Sequence, residues 1–130
     1  MANYPADLKY TKDHEWARRE GDLVRVGITQ FAVDQLGDVT LVDLPKPGTK
    51  LTTAAHFGDI ESVKAVSELF APVGGDVVEV NATLENKPEL VNESPYEKGW
   101  MLLVKLSQPA ELDKLMDTAA YTAFLGTLDH

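Results

Sequence analysis

The sequence predicts a mainly β protein, a flattened β-sandwich with a short internal helix and helices at the C-terminus. Three observations carry this expectation. Short β-rich runs recur along the chain and are separated by Gly, Pro, Asn and Asp turn signals. The stretch Gly37-Asp38-Val39-Thr40-Leu41-Val42-Asp43 is echoed in register by Gly75-Asp76-Val77-Val78-Glu79-Val80-Asn81, as two half-sheets packed face to face would require. Beyond Leu106 the apolar period changes to i, i+3, i+4, at Leu112, Leu115 and Met116 and again at Tyr121, Phe124 and Leu125. A chain of 130 residues suits one domain with its own core, here with a β portion over 8–106 and a helical segment over 107–128.

Residues 4–14 read as a loose arm with a short edge strand. Glu15 to Arg19 and Leu23 to Ile28 flank Glu20-Gly21-Asp22 as a hairpin, with Val24, Val26 and Ile28 on one face. Thr29 is a good N-cap for about two helical turns from Gln30 to Leu36, with Ala32 and Leu36 on one side and Gly37 as the stop. Val39 to Val42 is a strand, Pro45-Lys46-Pro47-Gly48 a turn, and Lys50 to Thr53 a short strand. Gly58-Asp59 is expected to break the chain before a tight turn, after which Val66 to Phe70 runs back. Asp76 to Val80 is a strand, Asn81 to Pro88 a polar loop, Glu89 to Asn92 a short piece, and Ser94 to Gly99 a turn. Trp100 to Leu106 is almost continuously apolar and should be the most central strand. Ser107 or Gln108 opens the first tail helix, with Pro109 in its first turn, and Asp117 or Thr118 caps the second.

Composition excludes several functions. The net charge of -9 and a pI near 4.7 leave no basic patch for nucleic acid or an anionic membrane. They suit a soluble protein that meets partners with basic faces. With no cysteine there is no disulfide framework, thiolate site or thiol nucleophile. The N-terminus has no basic, apolar leader, and no run is long enough to cross a membrane, so the cytoplasm is expected, with the mature form of an imported protein as the alternative that the initial Met disfavours. His14, His56 and His130 are isolated, without ligand spacing, and His130 is expected to be disordered; no metal site is expected. No nucleophile, base and orienter can be assembled, and Asp13-His14-Glu15-Trp16 reads from its residues as a solvated strand start. The chain is therefore not expected to be an enzyme by itself.

One stretch stands apart, Ile60-Glu61-Ser62-Val63-Lys64-Ala65-Val66. Turn tips favour Gly, Asn, Asp or Pro. Here Val63 and Ala65 bracket a single amine, Lys64, as a modifying enzyme that grips a turn by its shape would need.

The stretch ESVKA followed by SELFAPVGGDVVEVN resembles the lipoate attachment motif of the glycine cleavage H-protein family. YTKDHEWARREGD, VGITQFAVDQLGDVTLVDLPKPG and PELVNESPYEKGWMLLVKL resemble the same family in the same order, over about residues 8–125. Biotin carriers typically place Met on both sides of the lysine, and lipoyl domains of the 2-oxoacid dehydrogenases place Asp before it. Val63 and Ala65, with Glu61-Ser62 ahead, resemble the H-protein pattern. Gly74-Gly75 departs from the Ser-Gly expected there, a change that should alter turn flexibility only.

The resemblance implies a single lipoyl-carrier domain over 1–130, with the barrel-sandwich hybrid fold of lipoyl and biotinyl carriers. It implies lipoate in amide linkage on Lys64, with Glu61, Ser62, Val63 and Ala65 as the recognition turn. Lipoate-attaching enzymes would load it. The dithiolane would accept an aminomethyl group from the pyridoxal-phosphate glycine decarboxylase and visit the folate-dependent aminomethyltransferase. The flavin-dependent dihydrolipoamide dehydrogenase would then reoxidise the dithiol. Such a swinging arm should shelter its ammonium against a carboxylate. Glu15 and Glu68, then Asp13 and His14, are the candidates. Two other readings share this lysine: a relay protein that passes lipoate to other enzymes, and a β-sandwich binding module with Lys64 unmodified.

Overall fold

The structure, a computed structural model, describes residues 4–128, so His130 lies outside the described residues. In chain order the elements are β1 (Lys9–Tyr10), β2 (Glu15–Glu20), β3 (Leu23–Ile28), α1 (Gln30–Leu36), β4 (Val39–Asp43), β5 (Lys50–Leu51), β6 (His56–Ser62), β7 (Val66–Phe70), β8 (Gly75–Val80), α2 (Thr83–Asn86), α3 (Leu90–Glu93), β9 (Leu102–Leu106), α4 (Ala110–Asp113) and α5 (Thr118–Thr127). They build two antiparallel sheets, one of six strands in the order β1-β2-β3-β9-β8-β5 and one of three in the order β4-β6-β7. The two echoed segments fall in different sheets, β4 in the smaller and β8 in the larger, and β9 sits inside the larger sheet between β3 and β8. No helix among the described residues is long and apolar enough to cross a membrane.

The core lies between the sheets. Val24, Val26 and Ile28 of β3, Val77 of β8 and Val104 of β9 form one buried cluster with Val42 of β4, Ile60 of β6 and Leu69 of β7. Each such side chain contributes on the order of 1.5–3 kcal/mol when removed from water. A second cluster covers the outer side of β2, where Leu8, Tyr10, Trp16, Tyr96 and Tyr121 pack together. Tyr10 of β1 and Tyr121 of α5 stack with ring centres 4.6 Å apart, which holds the C-terminal helix against the sheet. Strand β2 is therefore covered on both faces. Trp16 points to the aromatic cluster, while Ala17 and, by the two-residue period, Glu15 point to the inner side. Gly27 pairs with Trp16, and the indole takes the space a side chain would need: a Cβ on Gly27 would stand 2.6 Å from the ring.

Three expectations are corrected. Gly58-Asp59 does not break the chain; β6 runs through both, with a bulge between His56 and Gly58. Gly58 is needed for closeness, since a Cβ there would collide with the Asp43 carbonyl oxygen. The segment 81–88 is not a plain polar loop. Buried Asn81 donates to the Lys98 and Trp100 carbonyls, and α2 and α3 then drive Leu84 and Val91 into the core. Residues 13–16 are not a solvated strand start, because Glu15 and Trp16 are 1% and 0% exposed. The tail follows the expected capping in its second helix, where Asp117 accepts from the Ala120 N–H at 2.8 Å. In the first, Pro109 is itself the N-cap in place of Ser107 or Gln108, no side chain caps the helix, and Met116 lies beyond it in a bridge with Tyr10.

Replacing Gly58 by Ala should lower the thermal midpoint by about 10 °C, corresponding to ~3 kcal/mol of lost stability. Gly126→Ala is the control. Gly126 lies in α5 with nothing near its missing Cβ, so helix propensity should make that variant at least as stable as the parent. Differential scanning calorimetry of the two variants checks both statements.

Candidate functional site

Lys64 sits at the tip of the β6–β7 hairpin, where Glu61 pairs with Val66 across the strands. The tip contains no glycine, and neither Val63 nor Lys64 takes a positive φ. Ser62 holds it instead. Its N–H donates to the Ala65 carbonyl at 2.8 Å, and its Oγ accepts from the N–H groups of Ala65 (3.1 Å) and Lys64 (3.3 Å). The Val63 N–H donates to the Asp38 carbonyl at 3.0 Å, which ties the tip to the chain entering β4. Lys64 is exposed and Val63 is 69% exposed. The lysine stem crosses Gly37 at the end of α1, where φ is 77° and an added Cβ would stand 3.3 Å from Lys64 Cε. Gly37 thus serves both the helix stop and the passage of the lysine stem.

Beside the tip lies a cleft of about 280 Å³ between α1, β7 and the start of β2. Ile28, Ala32, Leu36, Ile60 and Leu69 give it apolar walls. Ala65 and Val66, directly after the lysine, line it as well. Its polar groups include Asp13, His14, Glu15 and Glu68, so all four side chains anticipated for an arm pocket meet in one place. Glu61, Ser62, Val63 and Lys64 build the adjoining tip. Asp13 and Glu68 are exposed, His14 is half-buried and Glu15 is buried.

The Glu15 carboxylate accepts from Thr11 Oγ1 at 2.7 Å and from the Phe70 N–H at 3.2 Å. Among the described residues no basic side chain pairs with it. Burial pushes its titration up to about 7; the two hydrogen bonds oppose this and the Asp13 charge adds to it. His14 has a left-handed backbone, φ 68°, and its ring lies 4.5 Å from that of Phe31. Its Nδ1 is 2.8 Å from the Tyr121 hydroxyl. Burial lowers the imidazole titration and Asp13 opposes the shift.

Sequence reasoning missed Gln35, Thr11 and Tyr121 as parts of this site. Gln35 was findable, since it lies beside the cleft-facing positions Ala32 and Leu36 of the predicted helix. Thr11 lies only four residues from Glu15 but in an irregular stretch whose turn no local pattern marks, and Tyr121 reaches the site from the far end of the chain. The expected Ser-Gly differs from Gly74-Gly75 only at position 74, where the N–H donates to Glu111 at 2.9 Å and an added Cβ would stand 3.2 Å from the Leu51 carbonyl oxygen; at Gly75, Gly in both, a Cβ would collide with the Lys105 carbonyl. Among the described residues no group of three His, Asp or Glu side chains is placed to hold a metal ion.

The comparisons with known proteins agree. The family model described as Glycine cleavage H-protein matches residues 8–127. A protein of Symbiobacterium thermophilum named glycine cleavage system H protein is 60% identical over 124 residues, which cover 95% of this chain and 97% of that one. One from Anaeromyxobacter with the same name is 55% identical over 121 residues, 93% and 94% of the two chains. The crystal structure of a glycine cleavage system H protein from Mycobacterium marinum superposes with a TM-score of 0.88 at 36% identity, covering 95% of this chain and 99% of that one. The lysine-tipped hairpin, the cleft beside it and these full-length matches lead to one conclusion: the chain belongs to the glycine cleavage H-protein family.

Proposed function

We propose that this chain is the lipoyl carrier of a glycine cleavage system, with lipoate in amide linkage on Lys64 Nζ. The observation that carries the reading is the exposed amine on a stiff hairpin tip, next to a cleft whose polar part holds a buried carboxylate without a cation. The residues present fit the group. The apolar walls suit a hydrocarbon stem, and Glu15 suits the ammonium of the cargo. When bound, lipoate supplies a dithiolane that takes an aminomethyl group from one partner and yields it to the next.

Glu61, Ser62, Val63 and Ala65 give the attaching enzymes a fixed shape to grip. The partners are glycine decarboxylase, aminomethyltransferase and dihydrolipoamide dehydrogenase. The chain itself catalyses no step, works in the cytoplasm and serves one-carbon metabolism. With its titration pushed up to about 7, Glu15 is partly protonated at neutral pH while the cleft lacks a cation. An arriving ammonium favours the carboxylate, so the charge forms where its partner is. Glu68, Asp13 and His14 complete the polar lining.

Incubation with a lipoate-attaching enzyme and lipoate should add one lipoyl mass to the chain. A peptide map should place it on Lys64, and Lys64→Arg should stay unmodified. An unmodified Lys64 under these conditions would sink both the carrier and the relay reading. Growth on glycine against a lipoyl-transfer assay separates those two.

Glu15→Gln gives a second check, with a definite sign. The folded-state titration is raised from 4.5 to about 7, so the contribution of Glu15 is complete below about pH 4.5 and is lost as the pH rises through 7. The parent should therefore lose roughly 2–3 kcal/mol between pH 4.5 and 8 relative to the Gln variant, in urea unfolding at both pH values. The same variant should release the carried amine about tenfold faster. An unchanged release rate rules out the pairing role.

A further inference from the structure

Thr29 is 0% exposed, and its Oγ1 lies 2.8 Å from the Tyr121 hydroxyl. The same oxygen accepts the α1 capping bond from the Ala32 N–H at 3.4 Å. Among the described residues the only acceptor in reach of the buried Thr29 proton is the Tyr121 oxygen. A buried hydroxyl proton left without an acceptor is costly, so Thr29 donates to Tyr121. The Tyr121 proton must then go elsewhere, and the remaining partner is His14 Nδ1 at 2.8 Å. An Nδ1 that accepts carries no proton. The second ring nitrogen, Nε2, has no protein partner among the described residues, yet no buried side-chain nitrogen or oxygen is left unpaired there. Nε2 therefore reaches solvent, on a residue that lines the cleft.

We propose that Tyr121 is a positioning residue for the cleft: its hydroxyl, oriented by Thr29, holds His14 as the neutral tautomer with the proton on Nε2. Protonating Nδ1 would reverse the Tyr121 hydroxyl and leave the Thr29 proton with no acceptor. The relay thus opposes a positive charge on His14, in the same direction as burial. Asp13 in its own segment is the charge that acts on the ring, and Tyr121 from α5 is the titratable group in contact with it; Glu15 from β2 and Glu68 from β7 share the cleft, while α1 sets uncharged Phe31 against the ring and α5 adds Phe124. A neutral His14 adds no positive charge beside an ammonium held by Glu15, and its N–H remains a donor for the cleft. This use of the tautomer rests on the carrier reading above, but the tautomer itself does not.

Long-range proton–nitrogen NMR of the imidazoles in the unlipoylated protein tests the relay directly. The parent should show His14 as the Nε2–H tautomer. Tyr121→Phe keeps the ring stack with Tyr10 and removes only the hydroxyl. It should give mixed tautomers and raise the His14 protonation midpoint by about one pH unit, the worth of one hydrogen bond. An Nδ1–H tautomer in the parent, or an unchanged tautomer and midpoint in Tyr121→Phe, overturns the proposal. If the variant does not fold, the parent spectrum alone decides. On the amine-loaded protein, Tyr121→Phe should speed amine release several-fold between the His14 midpoints measured for the parent and the variant, and little at a pH well above both, where His14 is neutral in both proteins. Equal rates at both pH values overturn the link from tautomer to cargo. Failure of the carrier reading would show separately, as an unmodified Lys64 by mass.

Discussion

The Glu15 carboxylate joins the two sheets. Its backbone belongs to β2 of the larger sheet, and one of its oxygens accepts the Phe70 N–H at the end of β7 in the smaller. The position is dictated by strand alternation. Trp16 must face the aromatic cluster, so Glu15 must share the inner face with Ala17. An apolar side chain there would extend the core at no desolvation penalty. A carboxylate survives because Thr11 and Phe70 supply two donors and because it can keep a proton. The cleft exists at this seam between the sheets. Its apolar walls are core residues, the buried Glu15 is part of its lining, and α1 completes it on the other side.

A second constraint follows from the same strand. The outer face of β2 is covered by Tyr121, Tyr10 and Tyr96, so the C-terminal helix is part of the site although it lies far away in sequence. Tyr121 meets both His14 and Thr29, one at the cleft and one at the start of the helix that walls it. Tyr96 reaches the same helix, its hydroxyl accepting from the Gln30 N–H at 2.8 Å. Two tyrosine hydroxyls thus hold the N-terminal end of α1 while Gly37 ends it against the lysine stem.

The legible part of this molecule is the part governed by local rules. Strand periodicity placed Val24, Val26 and Ile28 in the core, the Thr29 cap and Gly37 stop bounded α1 correctly, and the echo separated β4 from β8 into two sheets. The lysine stood out because Val63 and Ala65 are unusual at a turn tip. Gly58 misled because glycine marks a turn and a tight backbone approach equally well, and only the neighbouring Asp43 carbonyl tells which. The burial of Glu15 was hidden for a related reason. A charged strand start is normally solvated, and what covers it here comes from β7 and the N-terminal arm. The family likeness raised Glu15 as a candidate before packing could.

Stiffness at the tip decides where motion can occur. A glycine turn would let the whole hairpin end move, and the lysine would be presented in many orientations. Here Ser62 satisfies the tip's N–H groups, and Asp38 anchors Val63 from outside the hairpin. The backbone under Lys64 is consequently fixed relative to the cleft, because the strand that leaves the tip, β7, is the cleft's own wall. Freedom is left to the side chain and whatever it carries. A carrier needs both properties together: a constant shape for each enzyme that handles it, and a reach set by rotations about single bonds. With the proposed arm cleft lined by the strand that emerges from the tip, the position of the lysine backbone relative to Glu15 is a property of the fold, independent of any partner.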